Sequence, residues 1–249
     1  VQEGVMVHGG MQTAQAELGW WTEPGMGHQM MGALIALMAV SLWMARSHLR
    51  NVLLKAWCPR SQIDDSGEIM SYRWAVIGAA AGTSIMWVWL WRTGIPFWFV
   101  PVFIATGLTI FISLARIICE TGLPIIKATM IPAGFAVSSI GVPALGVKGM
   151  VATGYTMVWC GDLLVFMMAP LANGLRLSSE TSGNRRALFW GVAAVMLIVL
   201  VVSVWYTIVL AYRHGSVNLL ISQHYAMEPS RFAAEKIASP TGPDLSGYL

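Results

Sequence analysis

Residues 95–132 read IPFWFVPVFIATGLTIFISLARIICETGLPIIKATMIP, and the run from Pro96 to Ala115 carries no charge. A charge-free run of about 20 residues is long enough to cross a hydrocarbon core roughly 30 Å thick. Charges and helix breakers then alternate before apolar sequence resumes, at Arg116, Glu120, Gly122, Pro124, Lys127 and Pro132. The pattern predicts a spanning helix that ends at a transport pathway or at a packed cytoplasmic rim.

The composition of the 249-residue chain extends this interpretation to the whole protein. It is 56% hydrophobic and 11% charged, whereas an ordinary soluble domain has about 25% charged residues. The mean hydropathy is +0.64. The net charge of +3 comes from a few juxtamembrane Lys and Arg residues, so no nucleic-acid partner is predicted. We expect an integral membrane protein with an all-α fold, a polytopic transmembrane helix bundle that has the lipid bilayer as its partner.

Four full spans are predicted, at about Gly27–Met44, Trp74–Trp91, Pro96–Ala115 and Ala187–Ala211. The connection between the first two spans, residues 45–73, is rich in Arg and continues the first helix as an amphipathic segment to Trp57. The bias of cationic loops places this connection in the cytoplasm and the N-terminus outside.

The chain divides into three parts. Residues 1–25 are predicted to be an extracytoplasmic N-terminal segment, 26–214 a transmembrane helical domain and 215–249 a polar C-terminal tail. The tail is expected to be partly disordered after Asn218 because it is polar and contains three prolines. Because the chain opens at Val1, we expect a fragment or a processed product.

The region 121–175 is apolar but repeatedly interrupted by Gly and Pro. Irregular backbone at membrane depth is tolerated only where it is buried in protein or lines water. We therefore expect a short re-entrant or broken segment near 131–146, followed by a helix at about 149–171. In the second span, small residues between Gly78 and Ser84 predict close packing against another helix.

Ionisable side chains at membrane depth are functional candidates because their burial is costly unless they are paired or hydrated. Four qualify here: Arg116, Glu120, Lys127 and Asp162. Arg116 and Glu120 are four residues apart and can pair on one helix face, either as a structural salt bridge or with Glu120 carrying a proton or receiving a substrate amine. Asp162 is either a proton site or a helix cap after Gly161. Lys127 is interpreted as a snorkelling anchor, with the transport site as the alternative.

Other chemistry is poorly supported by the sequence. It contains no GxSxG, HExxH, Walker A or strand-linked GxGxxG motif, so no enzyme activity and no cofactor are predicted. Cys58, Cys119 and Cys160 are an odd, widely spaced set without a CxxC motif and are interpreted as reduced thiols. No His lies at ligand spacing near them, so a metal site is not expected. His28, at the mouth of the first span, is expected to be an interfacial or hydrogen-bonded residue.

Four hydrophilic junctions carry a family resemblance: LWMARSHLRNVLLKAW at 42–57, DDSGEIMSYRWAVIG at 64–78, LARIICETGLP at 114–124 and AYRHGSVNL at 211–219. Together they resemble a bacterial group of OPT-like membrane proteins, relatives of the oligopeptide transporter family, over about 45–220. The resemblance implies the C-terminal part of a longer secondary transporter in the bacterial cytoplasmic membrane. It also implies small peptides or metal chelates as substrates, usually moved with protons.

A membrane scaffold is the rival interpretation. It would bind partner membrane subunits, or further copies of itself, through its small-residue and Trp-rich faces. The two hypotheses differ in the surroundings of Glu120 and Asp162. A transporter needs at least one of these carboxylates on a hydrated path, whereas a scaffold would hold both in salt bridges or helix caps.

Overall fold

The fold is taken from a computed structural model of the chain. It describes residues 24–58, 68, 70–123, 126, 130–160, 168–180, 185–215, 220–240 and 242–243. Residues 1–23 of the predicted N-terminal segment, Lys127 and Asp162 lie outside these residues.

The described part of the chain is helical throughout its regular structure, which confirms the all-α prediction. In chain order the helices are α1 (Pro24–Met44), α2 (Arg46–Trp57), α3 (Tyr72–Arg92), α4 (Val100–Thr121), α5 (Pro132–Ile140), α6 (Val142–Tyr155), α7 (Met157–Cys160), α8 (Met168–Glu180), α9 (Arg185–His214) and α10 (Leu220–Ala238).

Four of these helices are long and apolar enough to cross a membrane: α1 from Gly27, α3, α4, and α9 from Trp190. They coincide with the four predicted spans, and they confirm the expectation of an integral membrane protein. The amphipathic continuation of the first span is also present, as α2.

The central span differs from its prediction at both ends. The amides of Phe99 and Val100 donate to the carbonyl of Pro96 at 2.8 and 3.2 Å, so a turn precedes the helix and α4 begins at Val100. The helix then continues beyond Ala115 and ends at Gly122, whose φ of +70° is a left-handed conformation that glycine adopts without a Cβ clash. Arg116 and Glu120 therefore lie on the span itself.

Helix α4 is the centre of the bundle, because α1, α3, α5 and α8 all contact it. Half of its apolar window is buried. Ile110 and Leu114 are fully enclosed, and the Ser113 hydroxyl donates to the carbonyl of Leu34 on α1 at 2.9 Å. This bond satisfies a buried hydroxyl and fixes the register of the two spans.

The interrupted region was predicted correctly near 131–146 and less accurately after it. Gly141, with φ +88° and ψ 148°, separates α5 from α6, and Gly146, with φ +66° and ψ 170°, interrupts α6 a second time. The following helix begins before the predicted residue 149. It tightens at Thr156, whose amide donates to Thr153 at 3.1 Å, and 161–167 lie outside the described residues.

The expectation of disorder after Asn218 is wrong for residues 220–238, which form α10 and pack against α6 and α7. Phe232 and Ala233 of this helix are buried. A Cβ added at Gly154 would lie 2.8 Å from the carbonyl oxygen of Pro229, so α10 approaches α6 at backbone distance. Phe232, Ala233 and Ile237 form an apolar face at helical spacing. The many polar residues around them made this face hard to recognise from the composition.

The small-residue face of α3 does not pack against the described part of the chain. A Cβ placed on Gly78 or Gly82 would meet nothing within 4 Å, and almost all of α3 is exposed. Its predicted close packing therefore stays a prediction about another molecule. In α9 no residue of the apolar window is buried.

Candidate functional site

Arg116 and Glu120 form the predicted pair near the C-terminal end of α4. The Arg116 Nε donates to the Glu120 Oε1 at 2.8 Å, and the two side chains are 26% and 55% exposed. An exposed i,i+4 pair contributes only about 0.3–0.5 kcal/mol to stability, so the pairing by itself explains little of the fold. It does hold the Glu120 carboxylate at a position where the described part of the chain leaves it more than half exposed.

Arg116 also connects α4 to α1, which the sequence did not predict. Its Nη1 donates to the Ser41 hydroxyl, and its Nη2 lies 3.9 Å from the Met44 Sδ. Ser41 in turn donates to the carbonyl of Leu37 at 2.5 Å. A guanidinium with partners on two helices acts as a structural clamp as well as a partner for Glu120.

A second arginine reaches the same end of α4. Arg176 of α8 donates through Nη1 to the main-chain carbonyl of Cys119. The last carbonyls of a helix lack intrahelical partners and carry the negative end of its dipole, so a guanidinium there is favourable. This contact was not predicted, because it joins residues 57 positions apart in the chain.

The other two predicted site residues, Asp162 and Lys127, lie outside the described residues. Of the four candidates, the structure therefore brings together Arg116 and Glu120. It neither joins Asp162 and Lys127 to that pair nor separates them from it.

Buried polar groups line the packed side of the broken helices. Ser138, Thr153 and Thr156 are at most 3% exposed. Thr153 and Thr156 donate to main-chain carbonyls of Gly149 and Thr153, at 2.8 and 2.6 Å. These bonds satisfy the two buried hydroxyls, because each hydroxyl donates to a carbonyl three or four residues earlier in the chain.

His28 contacts this broken region from α1. Its ring is 9% exposed, the Nε2 lies 3.5 Å from the Ser138 Oγ, and the ring stacks obliquely on Phe135. The expectation of a hydrogen-bonded histidine is confirmed. Its partner was not predictable from the sequence, because Ser138 is 110 residues away and lies on a segment without charge.

A small apolar cleft lies between α4 and α7. It holds about 30 Å³ and is bordered by Phe103, Gly107, Trp159 and Cys160, among others. A ligand of drug size needs roughly 300 Å³ or more, so this cleft in its present form admits no peptide. Among the described residues, no group of three or more His, Cys, Asp or Glu side chains could hold a metal ion.

Comparison with known proteins adds a family but no activity. No curated protein and no solved structure matches the chain. One family model matches residues 1–249, and its description is "Family of unknown function (DUF6785)". Because that match covers the whole chain, the protein belongs to the DUF6785 family.

Proposed function

We propose that this protein is part of a secondary membrane transporter, OPT-like in design, that moves small peptides or metal chelates together with protons. The observation that carries the proposal is the pair of short helices α5 and α6, which glycines interrupt at Gly141 and Gly146. Helix α5 packs against the central span α4, and one face of α6 packs against the C-terminal helix α10, whereas Val147 and Tyr155 on its other side are exposed.

Broken helices are unusual in a membrane because each break frees backbone groups that lipid cannot satisfy. They persist where protein or water covers them, and secondary transporters place such helices around their substrate sites. Here protein covers the break at Gly141, where an added Cβ would lie 2.9 Å from Pro243, and leaves the break at Gly146 exposed. A scaffold that only needed to fill a bilayer would be built more simply from continuous spans.

Glu120 is the proton-carrying group in this proposal. Its carboxylate is paired with Arg116 yet 55% exposed, and the proposal requires that water reaches this exposed side. Protonation of Glu120 would release the Arg116 Nε and leave the guanidinium to Ser41 and Met44 alone, which would tighten the clamp between α4 and α1. That coupling is the step by which a proton would alter the bundle.

The test is pH-driven uptake of a small-peptide library into proteoliposomes that contain the full-length protein. We expect Glu120→Gln to lower uptake at least tenfold. The matched control is Glu235→Gln in α10, because Arg231 and Glu235 form a pair of the same spacing, 2.9 Å long, with the carboxylate 50% exposed. Asp162→Asn is measured beside them as the second predicted proton site.

Uptake that Glu120→Gln and Glu235→Gln leave equally unchanged would refute the role of Glu120. Uptake that both variants reduce equally would show a general electrostatic effect. If the wild-type protein transports neither peptides nor chelates, the transporter proposal fails.

The scaffold is the second candidate, and the exposed faces of α3 and α9 favour it. Most residues of α3 are exposed, and no residue of the apolar window of α9 is buried. Small residues such as Gly78 and Gly82 let membrane helices approach closely. A wild-type protein that transports nothing but co-purifies with a defined membrane subunit would favour this function.

A further inference from the structure

The junction of α1 and α2 carries an exposed stripe of two tryptophans and two arginines. Trp43, Arg46, Arg50 and Trp57 follow one another at spacings of three, four and seven residues, which places them on one helix face. We call these four residues the junction stripe. Both tryptophans are largely exposed, at 69% and 84%, and both arginines are exposed as well.

The stripe is continuous although α1 and α2 are separated at Ala45. The Ala45 amide donates to Ser41 at 3.0 Å and the Leu49 amide to Ala45 at 2.9 Å, so helical hydrogen bonding passes through the junction. Direct contact confirms the shared face. The Arg46 Cζ lies 4.6 Å from the centre of the Trp43 ring, and its Nη1 donates to the Trp43 carbonyl at 2.8 Å.

Charge makes this surface selective for anions. Residues 46–57 contain no Asp or Glu, and like charges four residues apart destabilise a helix unless a counter-charge lies between them. Glu120, near the end of α1, is engaged by Arg116. A phosphate group fits the two guanidinium forks, which bind it through paired N–H donors.

The position of the stripe identifies the source of that phosphate. It begins on the last residues of α1, a helix long and apolar enough to cross the membrane, and tryptophans at the end of a span lie at headgroup level. No residue of α2 is buried, and Leu53 and Leu54 are about half exposed. We propose that the junction stripe binds the phosphate headgroups of anionic phospholipids at this end of the bundle.

The experiment titrates the purified full-length protein, in neutral detergent, with phosphatidylglycerol or with phosphatidylcholine and counts bound lipids by native mass spectrometry. A basic side chain near an anionic surface strengthens binding roughly fivefold. We therefore expect the double variant Arg46→Gln/Arg50→Gln to lose roughly 25-fold of the preference for phosphatidylglycerol. Gln is a good helix former, so α2 is retained.

The control is Arg92→Gln at the end of α3. Arg92 also lies near a tryptophan, with its Cζ 5.8 Å from the Trp91 ring, but it is outside the stripe. Its replacement should change the preference less than twofold. If the double variant fails to fold, as judged by helicity and gel filtration, Arg50→Gln alone should lose roughly fivefold.

Three results would overturn the proposal. The wild-type protein could bind both lipids equally, the double variant could keep its preference, or Arg92→Gln could lose as much as the double variant. Inorganic phosphate supplies the same chemistry without an acyl chain. If millimolar phosphate displaces the bound phosphatidylglycerol, the stripe is a site for free anions and not for lipid.

Discussion

Helices α4 and α9 are the two most hydrophobic of the four candidate spans, and their surroundings within the described bundle are opposite. Half of the α4 window is buried, whereas no residue of the α9 window is buried, although α9 is the more hydrophobic of the two. In α4 the packed face includes Thr106, Gly107 and Ser113, and in α9 large residues such as Leu200 and Trp205 are more than 60% exposed.

The difference follows from how helices associate in lipid. Burial of apolar surface against another helix gains little there, because lipid tails are equally apolar, and association depends on close packing and interhelical hydrogen bonds. Helix α4 has both, through small residues and the Ser113 bond to Leu34. Hydropathy therefore identifies a span but does not indicate which helices pack against it.

The largest expected effect comes from truncating a large side chain on each of the two helices. Ile110→Ala in α4 removes a fully enclosed side chain and should cost about 2–5 kcal/mol of unfolding free energy. Leu200→Ala in α9, where the side chain is 64% exposed, should cost less than about 0.5 kcal/mol. The measurement is unfolding of each purified variant in mixed micelles with increasing denaturing detergent.

Equal losses of unfolding free energy for the two variants would contradict the contrast between a packed α4 and an unpacked α9. That result would mean that α9 is packed against a partner as tightly as α4 is packed within the chain. A concentration-dependent loss for Leu200→Ala would identify that partner as a second copy.

A second, smaller contrast uses glycines. Gly154→Ala would place a Cβ 2.8 Å from the Pro229 carbonyl oxygen, a backbone atom that cannot move aside as a flexible side chain can. We therefore expect a loss of about 1–3 kcal/mol of unfolding free energy. Gly191→Ala in α9 meets nothing within 4 Å and should be neutral or slightly stabilising, since Ala is the better helix former.

Limited proteolysis sharpens this glycine test, because it reports on α10 directly. In Gly154→Ala the helix should detach from α6 and be cleaved faster, while the spans remain protected. If cleavage is unchanged and stability is retained, α10 does not depend on the close approach to Gly154.

The spans and the broken region were predictable because each leaves a local signal. A charge-free run reveals α4, and Gly141 and Gly146 interrupt the apolar pattern where the backbone turns to positive φ. The docking of α10 was not predicted, because its apolar face of Phe232, Ala233 and Ile237 is diluted by polar neighbours and is recognised only beside α6.

The candidate site divides in the same way. The pairing of Arg116 with Glu120 follows from a spacing of four residues and is confirmed. The contacts of Arg116 with Ser41, and of Arg176 with Cys119, join residues 75 and 57 positions apart. Helix packing creates those contacts, and no spacing rule in a single sequence encodes them.

The smallest expected effect separates the two Arg–Glu pairs, one on the packed span α4 and one on α10. Arg116→Gln loses Glu120 and the link to α1, and should cost about 1 kcal/mol, the usual net value of a charge-assisted hydrogen bond at a partly exposed site. Arg231→Gln loses the pair with Glu235, in which the Arg231 side chain is 71% exposed, and should cost about 0.3 kcal/mol. Denaturing-detergent titrations at low and high salt measure both losses.

Salt should shrink the Arg231 effect more, because water surrounds that pair, whereas the Arg116 side chain is three-quarters shielded. Equal losses with equal salt sensitivity would show that Arg116 and Glu120 form an ordinary surface ion pair. Protonation of Glu120 would then have no contact through which to affect α1, and the proposed coupling would fail.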